Sequence, residues 1–491
     1  MASIKKLAGQ TAIYGFSTIF GRLLNYLLVP LHTYLFPQPA QYGVVGELYA
    51  WVSLFIVFLT YGMETAFFRF SQQDEYREKT YSTATLSLLA TSALFAVLCV
   101  LFSQNIADGL QFHDHPEYIS WLAVIVSIDA LTSIFFAGLR LQMRALRFAF
   151  VKITNITVNV LMNLFFLLLC PYLVKNNIAP EFVDVVYSSE IGVGYIFISN
   201  LIASIITLIL LIPELFKFKL SFDWKLWRKM IAYGFPLLIL GLAGIVNETM
   251  DRVLLRRLSP PDIAQAQVGI YSACYKISIM MTIFVQAFKY AAEPFFFAKS
   301  KDQDAKQTYS DVMSVFVFVC SVIFLGIMLY IDIVQHFVGP EYRTGLGVVP
   351  ILLLANLFLG IFYNLSIWYK LTDQTRFGAY ISVIGAIITL VLNYFLIPVI
   401  GYMGSAWATF ICYFSMMMLS YAFGQKYYHV DYKVLKIISY VGVAVAFYYI
   451  STLFYFDSFG IKMAVNTFLF LLYIFIIYLF DHKYINLILR R

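Results

Sequence analysis

The sequence predicts an all-α integral membrane protein of about fourteen transmembrane helices. They form two six-helix repeats in parallel orientation, with two C-terminal helices left over. Three observations predict this. Charged residues are 12% of the chain and hydrophobic residues 61%, where a soluble domain carries about 25% charged residues; the mean hydropathy is +0.79. Apolar runs long enough to cross a bilayer, which takes about 20 helical residues, recur along the whole length. Short motifs also return in the same order at a nearly constant offset.

The runs fall near 9–36, 42–68, 81–103, 118–139, 149–173, 190–213, 230–254, 268–294, 309–335, 346–369, 377–399, 402–424, 435–455 and 461–480. Each is read as a helix, because a span in hydrocarbon must satisfy its backbone polar groups internally. Lys5 and Lys6 precede a run too long for a signal-peptide core, with no small-residue cleavage site behind it. With the N-terminus placed inside, most of the 34 lysines and arginines fall on the inner loops, which predicts cytoplasmic termini. The exception is an outer cluster at the end of the seventh span, Arg252, Arg256 and Arg257. The net charge of +7 is thereby assigned to basic loops and not to nucleic-acid binding.

The repeat is carried by AIYGF (12–16) against IAYGF (231–235) and QYG (41–43) against QVG (267–269). The offset then settles near 229: Glu64 against Glu293, each followed by phenylalanines; Thr80-Tyr81-Ser82 against Thr308-Tyr309-Ser310; Arg147-Phe148 against Arg376-Phe377; LMNLF (161–165) against VLNYF (391–395). The predicted organisation is an N-terminal bundle over 1–218, a second over 219–428, and two further helices with a tail over 429–491. An even number of helices per copy keeps both copies in one orientation, and substrate sites of parallel-repeat transporters lie at the repeat interface. Gly15, Gly234 and Pro236 stand early in the first helix of each copy, where proline can bend a helix.

Charges inside spans mark function, since each costs at least about 2.5–3.5 kcal/mol at the bilayer centre. Arg22 is mid-span in the first helix and reads either as a brace for Glu47 or Glu64 or as a fixed cation for an anionic substrate, its planar fork suiting phosphate. Glu248 and Asp251 share a face of the seventh helix and, with Glu64, are the residues for ion coupling by H+ or Na+. Arg252 lies one turn after Glu248 and is expected either to pair with it or to face the cavity. Lys276 is a second cavity cation, whereas Lys289 and Glu293, one turn apart, read as an ion pair. Asn155, Asn159 and Asn163 form a stripe that glues helices or lines a polar path. His113-Asp114-His115 reads as a solvated outer turn. The five cysteines lie in apolar runs without a CxxC spacing, so no metal site, disulfide framework or cofactor is expected. No nucleotide-binding, hydrolase or metalloprotease motif occurs.

The stretch GRLLNYLLVPLHTYLFPQPAQYGVVGELYAWVSLFIVFLTYGMETAFFRF (21–70), with DRVLL (251–255), GIYSACYK (269–276) and EPFFF (293–297), resembles the polysaccharide-transport family. These are lipid-linked oligosaccharide, or O-antigen, flippases of the multidrug/oligosaccharidyl-lipid/polysaccharide exporter superfamily. The resemblance covers spans 1–12. It implies a MATE-like pair of bundles with a cationic cavity, and alternating access for a polyprenyl-pyrophosphate-linked oligosaccharide in a bacterial inner membrane. It puts the cavity cations on Arg22, Arg252 and Lys276. Partners would be the glycolipid, membrane lipids and other polysaccharide-assembly proteins, in routes such as lipopolysaccharide synthesis. Lipid II flippases carry an Arg-Asp pair late in the first helix, where this chain has Leu28 and Val29, which implies a different substrate. The alternatives are an ion-coupled multidrug antiporter of the same fold and, in another class, a membrane glycan polymerase or acyltransferase. The short loops leave no room for the extramembrane residues such an enzyme needs.

Overall fold

The computed structural model describes residues 15, 17, 19–216, 221–454 and 458–489; side chains at 77–78 and 480–489 fall outside that description. Lys5, Lys6, most of the 12–16 motif, Lys217, Lys219, Arg490 and Arg491 therefore lie outside the described residues. Every described regular element is helical. Among the described residues thirteen helices are long and apolar enough to cross a membrane. The remaining expected span, the first, begins outside them.

The chain divides into two compact units, residues up to 256 and residues from 257 on. The first unit contains α1 (Leu28–Leu35, preceded by helical residues 19–26), α2 (Pro39–Phe70), α3 (Lys79–Leu101), α4 (Pro116–Leu141), α5 (Ala145–Lys175), α6 (Gly194–Leu215) and all but the last two residues of α7 (Trp224–Leu258). Pro39 and Pro116 open their helices, at positions whose N–H would have no partner anyway. The hub is α4, which packs on α2, α3 and α6 and has 72% of its apolar window buried. Met63 and Phe67 of α2, Tyr81 and Leu88 of α3, Phe135 of α4 and Met230 of α7 meet in one apolar core.

Helix α2 is interrupted at Tyr61 (φ 34°) and Gly62 (φ 70°), both left-handed. There it meets α7: a Cβ built on Gly62 would lie 2.6 Å from the Gly234 carbonyl oxygen, and one on Gly234 2.7 Å from the Tyr61 carbonyl oxygen. Two glycines allow the backbones to touch, as small residues do between membrane helices. Around Pro236, α7 continues as one helix.

The second unit holds α8 (Pro261–Lys299), α9 (Ala305–Leu329), α10 (Val348–Leu371), α11 (Arg376–Ile400), α12 (Tyr402–Tyr427), α13 (Val434–Leu453) and α14 (Phe459–Leu479). Its hub is α10, packed on α8, α9 and α12. This is the same place in the second repeat that α4 holds in the first. The extra helices α13 and α14 both pack on α9. As a result α9 is 61% buried over its apolar window, against 28% for its counterpart α3. Asn466 of α14 donates to the Leu329 carbonyl at the end of α9 (2.6 Å).

The repeated motifs make repeated contacts inside each unit. Ser82 accepts from the Ser221 amide before α7 (2.6 Å), and Ser310 donates to the Asp431 carbonyl before α13 (2.7 Å). Asn163 and Asn393 each donate to the carbonyl four residues earlier (2.8 Å in both). Glu64 pairs with Arg140 across α2 and α4; Glu293 pairs with Lys370 across α8 and α10 at 2.9 Å.

Candidate functional site

Most of the charge that the sequence places inside spans lies in the first unit. Asp251 is buried, and its Oδ1 accepts from the Arg252 backbone amide (2.8 Å) and from the Arg252 guanidinium (3.2 Å). The same guanidinium donates to the main-chain carbonyl of Glu248 (3.1 Å). The expected one-turn pairing of the Glu248 and Arg252 side chains is thus corrected. The carbonyl of Glu248 takes the contact, and its carboxylate is exposed. One turn on, Arg256 approaches the fully buried Glu47 of α2 at 3.6 Å. Arg252 is only 9% exposed, so helix α7 holds a guanidinium away from water. That arrangement is costly unless the charge is used or compensated.

Arg22 is exposed. Its neighbour Gly21 lets the first helix approach α5, for a Cβ there would sit 2.2 Å from Ile156 Cδ1. The asparagine stripe continues that seam. Asn159 donates to Asn25 (3.1 Å), the Asn163 oxygen meets His32 Nε2 (2.9 Å), and Asn155 donates to Thr207 of α6 (2.9 Å). His32 and Asn25 went unread in the sequence, although their spacing of two turns matches the stripe they face.

Glu64, the third acid offered for coupling, is neutralised by Arg140, whose guanidinium also lies 5.1 Å from the Phe68 ring centre. Lys152 lies within α5, inside the expected 149–173 run. Sequence reasoning ended the fourth run at 139, just short of Arg140, whereas α4 extends through it. It also missed Asp129, in the middle of α4, which accepts from Ser204 of α6 (3.0 Å). Lys152 of α5 interacts electrostatically with Asp129 and lies 4.2 Å from the Phe136 ring centre. The signal was available, an aspartate amid an apolar run, and intramembrane acids are functional candidates by default.

In the second unit Lys276 is half-buried on α8, between buried Tyr275 and Ile277. The motif it ends, GIYSACYK, packs tightly, with Cys274 Sγ donating to the Tyr342 carbonyl (3.2 Å). The expected Lys289–Glu293 pair is corrected: Glu293 is bound by Lys370, and Lys289 lies 4.3 Å from the Tyr363 ring centre. Among the described residues no group of three or more histidines, cysteines or acids could hold a metal. His113 bonds Asp108 and His115 bonds Glu117, each at 2.9 Å. None of the five cysteines is in a disulfide.

Comparison with known proteins gives the fold and the family. The structure is similar to the lipid II flippase MurJ in an inward closed conformation (TM-score 0.72, 14% identity, covering 95% of this chain and 98% of that one). It is similar to an inward-facing multidrug resistance MATE family transporter of the MOP superfamily (TM-score 0.64, 11% identity, 88% and 95%). The eukaryotic MATE transporter AtDTX14 also shares the fold (TM-score 0.52, 13% identity, 90% and 98%). At these identities the likeness speaks for the fold alone. No curated protein matches the sequence. The family model described as polysaccharide biosynthesis protein matches residues 7–298, well over half the chain. The chain therefore belongs to the polysaccharide biosynthesis protein family, membrane transporters of the multidrug/oligosaccharidyl-lipid/polysaccharide exporter superfamily.

Proposed function

We propose that the protein is a flippase that carries a polyprenyl-pyrophosphate-linked oligosaccharide from the cytoplasmic to the outer leaflet of a bacterial inner membrane by alternating access. The glycan would serve a surface polysaccharide such as lipopolysaccharide O-antigen. The observation that carries the reading is Arg252, a guanidinium buried in a membrane helix of a chain in this family. A pyrophosphate is the anion its planar fork suits. Arg22 and Lys276 are proposed as further substrate-binding cations. Glu64 and Asp251 are each occupied by an arginine, so Glu248 and Asp129 become the stronger candidates for coupling to H+ or Na+. Other polysaccharide-assembly proteins are proposed as partners, with both termini in the cytoplasm.

An ion-coupled multidrug antiporter is the second reading, favoured by Asp129 in its membrane helix. The test is surface glycan in cells whose only copy of the transporter is an alanine variant. Arg252→Ala and Arg22→Ala should each lower surface glycan at least tenfold at unchanged protein level in the membrane. Normal glycan in both variants would remove these residues from the site.

A further inference from the structure

The segment that leads into α7 reads SFDWKLWRK (221–229). It stands just ahead of the run expected to cross the bilayer, 230–254. At that depth aromatic rings and basic side chains meet lipid headgroups. Leu226 and Met230 turn into the apolar core of the first unit. Trp227 is tied down as well, its indole N–H donating to Ser87 of α3 (2.7 Å). Trp224 stacks on Trp227, with ring centres 4.6 Å and planes 19° apart. The Arg228 guanidinium lies 5.3 Å from the Trp224 ring centre, within reach of a cation–π contact. Yet Trp224 remains 53% exposed and Phe222 44%, and Lys225 and Arg228 are exposed with them.

The segment holds three basic residues and one acid. The acid is committed: Asp223 accepts from the amides of Lys225 and Leu226 (3.0 Å in both) and pairs with Lys79 of α3 (3.2 Å). Lys229 donates to the Tyr76 hydroxyl (2.6 Å). Lys225 and Arg228 therefore give the surface around Trp224 a surplus of positive charge. The second repeat shows that the segment can be seated without it. Counted from the matched contacts of Ser221 with Ser82 and Asp431 with Ser310, the places of Trp224, Lys225, Trp227 and Arg228 fall to Val434, Leu435, Ile437 and Ile438. An ion pair ties that segment down too, with the signs exchanged, Lys433 to Asp311 of α9 at 2.7 Å. The rings and bases of the first unit are thus additions to a seat that the second makes with aliphatic residues.

We propose that Phe222, Trp224, Lys225 and Arg228 form a binding surface for an anionic phospholipid. Arg228 and Lys225 receive the headgroup phosphate, one as a planar fork and the other as a point charge. The exposed faces of Phe222 and Trp224 cover the upper part of the acyl chain, which suits rings that are apolar in body and sit at the interface. A zwitterionic headgroup brings its own cation to the positive surplus and is held less well. A soluble phosphate has no chain for the two rings to cover. The surface does not depend on the flippase reading.

The test uses the full chain in phosphatidylcholine vesicles at constant ionic strength. A growing fraction of the lipid is replaced by phosphatidylglycerol, or by phosphatidylcholine, carrying bromine near the top of its acyl chains, where it quenches tryptophan on contact. In the wild type the mole fraction for half-maximal quenching should be at least about fivefold lower for phosphatidylglycerol, the preference that about one basic residue at the interface supplies. The double variant Lys225→Gln/Arg228→Gln should bring the two lipids level. Trp224→Phe, which removes the reporting ring, should abolish the selective part of the quenching. Should the double variant not fold, the wild type and Trp224→Phe decide alone. Equal quenching of the wild type by both lipids overturns the proposal and leaves the rings as ordinary interfacial aromatics. A preference that survives in either variant also overturns it, by placing the anionic lipid elsewhere on the protein.

Discussion

Arg252 is held by groups of its own helix, and that gives it two separable roles. Removing the guanidinium leaves the buried Asp251 carboxylate without this partner, which should cost about 3 kcal/mol, the range for breaking a buried pair. Arg252→Ala should therefore unfold at lower temperature, and adding Asp251→Asn should recover more than half of that loss. If Arg252 also serves the substrate, the double variant regains stability but not glycan export. Recovery of both would reduce the residue to a brace. Asp223 shows a titratable contact outside the spans. Backbone amides of Leu226 and Lys225 at the start of α7, together with the Lys79 ammonium, hold its carboxyl below the usual carboxylate range. A depressed acid contributes stability above its unfolded pKa of about 4 and loses it as pH falls through the lower folded value. Asp223→Ala should melt below the wild type at pH 7, and the two melting curves should converge as pH drops under about 4. A gap that stays constant down to pH 3 would contradict this account of Asp223.

At the scale of elements the glycines separate cleanly. Gly62 needs its left-handed backbone and, with Gly234, the touching of α2 and α7. Gly62→Ala should cost about 2 kcal/mol or more. Gly15, with no described residue within 4 Å of its would-be Cβ, should accept alanine with a neutral or slightly favourable effect, up to about 1 kcal/mol. The comparison is read as shifts in thermal midpoint, and similar losses at Gly15 and Gly62 would refute it. The Asn163–His32 bond joins α5 to α1. Asn163→Ala should cost about 1 kcal/mol, as interhelical bonds in membranes do. The helices themselves were legible, because hydrophobic length alone decides a span, and the repeat was legible because the same short motifs make the same contacts in each unit. Partner choice was not. The sequence offers one-turn neighbours such as Lys289 and Glu293, but charges on different helices meet just as easily once α8 lies on α10. Glu293 takes Lys370 for that reason. Asp129 was passed over because a single aspartate in an apolar run carries no spacing pattern to announce it.

For the whole molecule, the family is one of membrane transporters, and the substrate is what the proposal adds. Helices α13 and α14 extend the second unit by covering α9, so truncation before Val434 should expose an apolar face and lower expression in the membrane. The central claim is movement of a pyrophosphate-linked glycan. It is met most directly in proteoliposomes containing a fluorescent pyrophosphate-linked oligosaccharide lipid, with its exposure to an impermeant quencher followed with and without a pH gradient. The account predicts protein-dependent exposure that is lost in Arg252→Ala. Absence of exposure with several glycans, together with export of cationic drugs, would contradict it and leave the antiporter reading in its place.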